Sequence, residues 1–386
     1  MSDNLERVIA FRLSRQHIDK PLPLSGLAEA ASLGIQDTNP GSAVLALALR
    51  CAGTDLDAMS GAVADGTLVP AWGPRLASHL VPPGRLTMLT QALLADDEKS
   101  LAVQIPAPTG VSSRKNISLV ALIPEMGEVI AGILRKEPLT KEQVGEQLND
   151  HLPEGISYFC ARCGRMHPPE AFVRLMMWTG RVRLQPDEST RKEVIAPQSL
   201  WLPKDKVPAG ELAEAKVSVV REFLRSYGPA DAALFAGWAG IGIRYAAKLW
   251  KSLGDDLVPV TVAGQERSLL AADEDEFGVA QPAEGIVMLP AYDPFLQARD
   301  REIITPDTAR QKQIWRFNVN PGVVLENGKL LALWRARRSG ARVGVEINPY
   351  AKVSRKAQDA MEKKAGEMAA VLGKSSAELT IGPAPK

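Results

Sequence analysis

Three polar residues, Gln36, Asp37 and Thr38, stand side by side just ahead of an apolar run in the stretch GIQDTNPGSAVLALALR, residues 34–50. A glutamine amide can hold a water molecule in place, and an adjacent carboxylate can stabilise positive charge or accept a proton from that water. This grouping therefore predicts a hydrolytic site, with Gln36 placing the water, Asp37 as the charged group and Thr38 as their neighbour.

The same stretch also has a purely structural interpretation, because Asn39 and Pro40 are typical of an N-cap and a first helical residue. The run Ala43 to Leu49 is then the body of the helix, and the polar residues before it are a capping loop. Capping and catalysis are compatible, and a helix N-terminus also offers backbone N–H groups to a phosphate. Both interpretations stay open at this point.

A run of basic residues surrounds the predicted turn Ser339-Gly340 and contains no acidic residue. It begins just after Trp334, and a hairpin with such a tip is well shaped to enter a nucleic-acid groove, where each neutralised phosphate makes binding sensitive to salt. The alternative is a solvated charged hairpin. The candidate DNA-binding residues of this run are Arg335, Arg337, Arg338 and Arg342.

Two further basic pairs lie on predicted DNA-facing elements. Arg75 and His79 belong to a short hairpin near residue 75, where His79 can contact the DNA backbone or can be structural. Arg244 and Lys248 lie on the second helix of a helix-turn-helix, joined to the first helix by the turn Ala239 to Gly242. The alternative for this second pair is a helix that packs against a neighbouring unit.

The three cysteines are Cys51, Cys160 and Cys163, an odd and low number that argues against a secreted disulfide framework. The pair at 160 and 163 is followed by His167, which supplies three candidate ligands for zinc. A structural zinc site needs four ligands, and His151 is the only nearby fourth candidate. We therefore expect a reduced, partly buried thiol pair and no metal or organic cofactor.

Composition limits the class of protein. The 386 residues are 45% hydrophobic and carry a net charge of +1, which predicts a folded chain of two to three domains without a general polybasic surface. The N-terminus lacks the pattern of a signal peptide, and no apolar run approaches the roughly 18 residues of a membrane span. We expect a cytoplasmic, monomeric protein that has no contact with membranes.

Helical segments followed by short hairpins recur along the chain, an order typical of winged helices. In the second repeat, Thr140 and Gln143 have the spacing of a capping box. Asn327-Gly328 predicts a tight hairpin turn in a later, alternating segment, and the final SSAELTIGPAPK reads as a mobile tail. The expected units are winged helices at 1–123, 124–211 and 212–285, an antiparallel β domain at 286–350, and a helix with tail at 351–386.

The segments VPAWGPRLASHLVPP, LPAYDPFLQARDR and LALWRARRSGARVGVEINP resemble, in this order and spacing, the winged-helix DNA glycosylases related to AlkZ and YcaQ. The resemblance extends over about residues 5–373. It implies a mainly α fold with small β elements, in which tandem winged helices form a curved scaffold that carries a C-terminal antiparallel β-barrel. It also implies hydrolysis of the N-glycosidic bond of bulky or N7-alkylated purines in double-stranded DNA, unhooking of interstrand crosslinks and, in some members, self-protection of antibiotic producers.

The family's catalytic motif is Gln-x-Gln or Gln-x-Asp, and the resemblance places its first residue at Gln36. Its second position falls on Thr38, a departure from the pattern, while Asp37 lies one residue early. Two other functions share the scaffold: a non-enzymatic DNA-binding regulator, which does not need Gln36, and a protein–protein scaffold, for which the basic turn has no purpose.

Overall fold

The computed structural model describes residues 3–105, 117–161, 163–187, 199–316 and 319–385. Its N-terminal part is helical around a small three-stranded sheet of strand order β1-β3-β2. Val69, Ala71 and Trp72 of β2 and Leu80 and Val81 of β3 are apolar, which suits strands packed against helices. The elements of this part are α1 (Asp3–Arg15), α2 (Leu27–Ala30), β1 (Ile35–Gln36), α3 (Ser42–Ala48), α4 (Leu56–Ala64), β2 (Val69–Trp72), β3 (Ser78–Val81), α5 (Leu86–Leu89) and α6 (Glu98–Gln104).

The second part combines helices with two separate two-stranded antiparallel sheets. The predicted capping box at the start of its second helix is confirmed, because the Thr140 hydroxyl accepts from the Gln143 N–H and the Gln143 side chain accepts from the Thr140 N–H. The elements are α7 (Leu119–Leu134), α8 (Lys141–Asn149), β4 (Tyr158–Cys160), β5 (Arg165–His167), α9 (Glu170–Leu175), β6 (Val182–Pro186) and β7 (Ser199–Pro203).

The third part contains the predicted helix-turn-helix. Gly240, in the left-handed conformation, ends the first helix, and the second helix begins at Ile243, so the two are joined by a short turn as expected. A hairpin follows, and its turn lies at Ala263-Gly264. The elements are α10 (Ala209–Tyr227), α11 (Ala232–Ala239), α12 (Ile243–Trp250), β8 (Leu257–Val262), β9 (Gln265–Leu270) and α13 (Glu274–Val279).

The C-terminal part is built on a five-stranded sheet of order β10-β11-β12-β13-β14. The Asn327-Gly328 turn joins two of its strands as predicted. Its elements are β10 (Ile286–Leu289), α14 (Arg301–Ile304), α15 (Thr308–Ile314), β11 (Gly322–Glu326), β12 (Lys329–Ser339), β13 (Arg342–Pro349), α16 (Arg355–Val371) and β14 (Ser376–Ile381).

Two expectations for this part are wrong. In the residues that the structure describes, β10 and β14 are the edges of an open sheet, so no closed barrel forms, and β14 pairs with β13 in the parallel direction. The supposed mobile tail supplies β14, because the turn after α16 returns the chain to the sheet, where alternate side chains such as Leu379 pack beside the core. The fold is therefore mixed α and β. It contains more strand than the mainly α class that the sequence predicts.

Apolar side chains gather in three clusters that set the site's position. The first contains residues from all three predicted helical units, from Leu33 to Leu270, together with Ala298 of the C-terminal part. The second packs α3 and α4 against one face of the C-terminal sheet and α16, and the third packs α1 against the other face. Among the described residues, no helix combines the length and the apolarity needed to cross a membrane.

Candidate active site

Gln36 lies on a strand rather than in a capping loop. Strand β1 pairs with β3 so that Gln36 is opposite His79. Helix α3 begins at Ser42 and its N-cap is Gly41, with φ 81°, a conformation that L side chains rarely adopt. The prediction that Asn39 caps the helix and Pro40 begins it is therefore wrong: the carbonyl of Asn39 accepts a hydrogen bond from the Ser42 hydroxyl at 2.8 Å.

The side-chain amide of Gln36 is held at both ends. Its Nε2 donates to Oγ1 of Thr38 at 2.9 Å, and its Oε1 accepts from Nη2 of Arg75 at 3.1 Å. A guanidinium has donors only, so the atom that faces Arg75 is the amide oxygen, which fixes the orientation of the amide. Gln36 is 8% exposed, whereas Thr38 is exposed, so the pair lies where buried structure meets the surface.

Asp37 lies between these two residues but is far more buried, at 1% exposed. Its backbone is pinned to the neighbouring strand, because its N–H donates to the Ser78 carbonyl at 2.8 Å and its carbonyl accepts from the Ser78 hydroxyl at 2.6 Å. Successive side chains of an extended chain point to opposite sides. The contacts therefore join Gln36 to Thr38, the second position of the motif.

Arg75 reaches Gln36 from a strained turn between β2 and β3. Both Arg75 and Leu76 have positive φ, 60° and 52°. Its Nη1 donates to the carbonyl of Trp238 at the end of α11. Burial, together with the charge of Arg299, lowers the pKa of Arg75 to about 10, so the guanidinium remains charged at neutral pH.

A glycine in the helix-turn-helix allows this approach. A Cβ at Gly240 would lie 2.7 Å from Cα of Arg75, closer than non-bonded carbon atoms come. The turn between α11 and α12 is thus packed directly on the turn that carries Arg75. The Arg75 guanidinium thus contacts Gln36, almost 40 positions earlier, and Trp238, over 160 positions later. No local sequence pattern indicates contacts over such separations.

His79 lies opposite Gln36, in the middle strand, and is 3% exposed. Its Nδ1 lies 2.9 Å from the Ala77 carbonyl, which can only accept, so Nδ1 carries the proton. Burial, and then the nearby Arg75 charge, lower the pKa of His79 to about 3. The ring is therefore neutral at pH 7. A contact of His79 with DNA therefore stays a prediction, because the side chain is buried in this structure.

A cleft of about 460 Å³ opens beside Arg75 and between α6, α11 and α12. Its wall includes a second arginine, Arg299, whose pKa is lowered by burial and then by the charge of Arg301. Two apolar side chains, Val103 and Ile243, line it although they are 57% and 56% exposed. No local pattern of residues indicates this cleft, because its residues come from segments far apart along the chain.

The predicted basic run lies on the β12–β13 hairpin and divides between its two faces. Ser339 is opposite Arg342 in the register, so Arg335, Arg337 and Arg342 share one face, and the last two are exposed. Arg335 donates to the Val319 carbonyl at 3.2 Å. Arg338 lies on the other face.

Arg338 ties the basic hairpin to the Gln36 motif. Its Nη2 donates to the Pro40 carbonyl at 2.7 Å, just past Thr38. A Cβ on Gly41 would lie 3.5 Å from the same nitrogen, so the loop between β1 and α3 passes close beneath the guanidinium. The structure thus brings together two groups of candidate residues that the sequence separates by about 300 positions.

Arg244 and Lys248 lie on α12. Lys248 forms an ion pair with Asp96, and Arg244 is exposed. The opposite side of α12 is buried, and the hydroxyl of Tyr245 donates to the Ala92 carbonyl at 3.0 Å. Helix α12 therefore packs against the first part of the chain, as the alternative interpretation has it, while its charged side faces solvent.

Buried ion pairs join the N-terminal helices to the segment LPAYDPFLQARDR. Arg50 donates to both carboxylate oxygens of Asp293, at 2.9 and 2.7 Å, and Arg12 contacts Asp300 at 3.2 Å. The polar residues 292–293 and 299–301 are thus in part a structural junction, although Arg299 itself borders the cleft.

The remaining candidate cluster is Cys160, Cys163 and His167, on the β4–β5 hairpin. One potential ligand atom from each residue lies within 4.8 Å of the others. Among the residues that the structure describes, these three form the one group of at least three potential metal ligands at such short distances.

Comparison with known proteins gives a consistent result. The chain is 24% identical over 390 residues to an interstrand DNA cross-link repair glycosylase of Streptomyces sahachiroi, and the match covers 99% of this chain and 100% of the relative. The fold is similar to the structure of the Streptomyces sahachiroi DNA glycosylase AlkZ, with a TM-score of 0.73 at 22% identity over 98% of this chain and 99% of the other. Because the model of the AlkZ-like DNA glycosylases matches residues 30–371, the chain belongs to that family.

Proposed function

We propose that this DNA glycosylase hydrolyses the N-glycosidic bond of bulky or N7-alkylated purines in double-stranded DNA and unhooks interstrand crosslinks. The supporting observation is the contact of Gln36 with Thr38 on one side and Arg75 on the other. The relative named for cross-link repair supports the class of substrate.

The chemistry of such a lesion requires little acid catalysis. A purine alkylated at N7 is already cationic, so when the bond from C1′ to the base breaks, the electron pair neutralises the ring. The sugar becomes oxocarbenium-like, and a water oxygen adds to C1′ and then loses a proton to solvent. The protein's task is to hold that water and to stabilise the positive sugar.

Gln36 and Thr38 have free hydrogen-bonding capacity for this task. Oε1 of Gln36 has two lone pairs, of which Arg75 uses one, and Oγ1 of Thr38 can accept a second hydrogen bond beside that from Nε2. The two oxygens can thus accept both protons of one water. Thr38 takes the place of the family's second Gln or Asp, and Asp37 supports the backbone from the buried side.

The cleft and the basic hairpin give this site its DNA surface. The apolar Val103 and Ile243 suit the flat face of a bulky adduct, while Arg299 faces the phosphates. On the other side, Arg337 and Arg342 extend the basic surface, and Arg338 fixes the loop. The helical groups with hairpins then act as winged helices of one curved monomeric scaffold, and no step of this mechanism passes through a cofactor.

An oligonucleotide with one N7-methylguanine, or one N7–N7 crosslink, tests the proposal. The protein is incubated in excess, abasic sites are cleaved with alkali, and the single-turnover rate is measured. Gln36→Ala should lower this rate about 100-fold or more, in the range of removed water-positioning groups. Gln185→Ala, on the exposed side of β6, is the matched control and should keep the rate.

The result also separates the competing functions. DNA binding without base release, unchanged in Gln36→Ala, would overturn the catalytic proposal in favour of a non-enzymatic DNA-binding protein. Release of N7-methylguanine without unhooking would restrict the substrate to monoadducts and would contradict the crosslink part of the proposal.

A further inference from the structure

We propose that Cys160, Cys163 and His167 bind one zinc ion at the β4–β5 hairpin. Two thiolates and an imidazole form the type of ligand set that zinc prefers. The sequence favoured a reduced thiol pair because a fourth protein ligand was missing, and the geometry gives reasons to revise that expectation.

The three ligand atoms already lie close together. They are within 4.8 Å of one another, and zinc bonds of about 2.0–2.3 Å in a tetrahedron would place them roughly 3.5–3.8 Å apart. The turn that unites the cysteines is closed by hydrogen bonds from the N–H groups of Cys163 and Gly164 to the Cys160 carbonyl, at 3.1 and 2.8 Å. Gly164 has φ 67°, a conformation that favours glycine. Small side-chain rotations therefore complete the geometry.

The imidazole of His167 is prepared for a metal. Its Nδ1 lies 2.7 Å from the Pro168 carbonyl, which only accepts, so Nδ1 carries the proton and Nε2 carries the lone pair. Metal-bound histidines commonly donate their second ring N–H to such an oxygen. The Nε2 atom is buried, no hydrogen bond of good geometry reaches it within the described part of the chain, and the Cys160 side chain lies next to it. A zinc ion held between the two side chains would bind this lone pair more strongly than a thiol, a weak donor, does.

The hairpin also lacks a hydrophobic reason to be stable. Its ladder has three residue pairs, and none of the six residues is buried. Tyr158, Phe159 and Met166 are 47%, 63% and 47% exposed. A two-stranded hairpin of this kind is marginal in water. Polar contacts with α8, such as the bond from Asn149 Nδ2 to the Met166 carbonyl at 2.7 Å, hold one of its strands, and a metal ion is a further device that stabilises small structures.

Solvent supplies the fourth ligand. His151, the candidate that the sequence offered, is not part of the close group. Cys163 is exposed, so one side of the trio is open to water. The proposal is therefore a zinc ion with three protein ligands and one water, which acts on the stability of the hairpin.

Metal content tests the assignment directly. Full-length protein is purified under reducing conditions, incubated with zinc chloride, desalted and analysed by mass spectrometry for zinc. We expect about one zinc per chain, and a loss to background in Cys160→Ser, Cys163→Ser and His167→Gln. The matched control is Cys51→Ser, since Cys51 donates to the Pro23 carbonyl in a different part of the chain and a hydroxyl keeps that bond. His151→Gln should also retain zinc.

A second measurement covers variants that fold poorly. In the native sequence, Co²⁺ should produce the absorption bands of thiolate-to-cobalt charge transfer, and a chelator should make chymotrypsin cleave faster after Tyr158 or Phe159. Any of three results would overturn the proposal: equal zinc retention in all variants, a Cys160–Cys163 disulfide in place of bound metal, or a chymotrypsin cleavage rate that is the same with and without zinc. None of these readouts depends on glycosylase activity.

Discussion

The guanidinium of Arg75 donates a hydrogen bond of 3.1 Å to the side-chain oxygen of Gln36. The same group is bound to the end of α11 through the Trp238 carbonyl. A change in the packing of the helix-turn-helix can therefore reach the amide that we propose to hold the water. Arg75 acts on the reaction through Gln36, which makes it a positioning residue.

We expect Arg75→Lys to lower the single-turnover rate about 10- to 100-fold with little change in DNA affinity. A lysine cannot make both contacts, because its ammonium lacks the fixed fork of the guanidinium. The decisive measurement is a double-mutant cycle with Gln36→Ala. If Arg75 acts through Gln36, the lysine variant should slow a Gln36→Ala protein no further. Additive losses would contradict this role. Arg85→Lys, at a half-exposed ion pair with Glu222, is the control.

The choice between Thr38 and Asp37 leads to a second prediction. Thr38→Val keeps the shape but removes the hydroxyl that accepts from Gln36, so the excision rate should fall at least about 10-fold. Thr38→Ser restores the hydroxyl and should recover most of the rate. Asp37→Asn should act mainly on stability, because Asp37 is 1% exposed. A rate lost in Asp37→Asn at unchanged melting temperature, with Thr38→Val active, would reverse the assignment.

Local patterns predicted much of the fold but not the surroundings of Gln36. The capping box at Thr140 and the turn at Asn327-Gly328 depend on neighbouring residues, and both are present. Strand β1 exists only because β3, more than 40 positions later, pairs with it. Asn39 therefore does not cap the helix as its local pattern predicts, because the pairing of β1 with β3 and the conformation of Gly41 place the start of α3 at Ser42.

The same reason explains the open C-terminal sheet. Strand β14 joins β13 in parallel, and α16 makes the crossover connection that parallel strands need. The sequence showed the helix but not that the chain returns to the sheet after it. The cleft beside Arg299 was likewise beyond reach, because Val103 and Ile243 are brought together only by packing.

His79 should make the protein sensitive to acid. Its pKa is lowered from 6.5 to about 3 in the folded state, chiefly by burial and next by the Arg75 charge. Between these values the unfolded chain binds a proton that the folded chain does not, so stability is lost as the pH falls below about 6.5. The loss from this proton is about 1.4 kcal/mol per pH unit.

Urea unfolding at pH 7 and pH 5 measures this effect. The asparagine of His79→Asn does not titrate, so the variant does not lose stability through this proton. The difference in free energy of unfolding between the native sequence and the variant should therefore be smaller at pH 5 than at pH 7. His17→Asn, a half-buried histidine near Glu29, serves as the control. Parallel pH curves for the native sequence and His79→Asn would show that the ring is not held neutral by burial.

The ion pair of Arg50 and Asp293 should be essential for stability. Its side chains are 2% and 0% exposed, and Asp293 also accepts from the Phe295 N–H at 2.8 Å. Asp293→Ala leaves a buried guanidinium without its carboxylate and with only the neutral acceptors Ala46 and Gln16, which should cost about 3–5 kcal/mol in the free energy of unfolding. Asp65→Ala, at a turn, should change it by less than about 0.5 kcal/mol. A small loss in Asp293→Ala would mean that water or another group replaces the carboxylate.

The two faces of the basic hairpin should have different effects on DNA. Arg337 and Arg342 are exposed, so alanine at either position should weaken binding to any sequence and reduce the slope of log K against log salt by about 1. Arg338 holds the Pro40 carbonyl, and Arg338→Ala should therefore slow base release more than it weakens binding. Binding is measured by fluorescence anisotropy over a series of salt concentrations, and release by single-turnover cleavage. If Arg338→Ala changed only the salt slope, the guanidinium would be a phosphate ligand, and its bond to the loop would have no part in positioning Gln36 and Thr38.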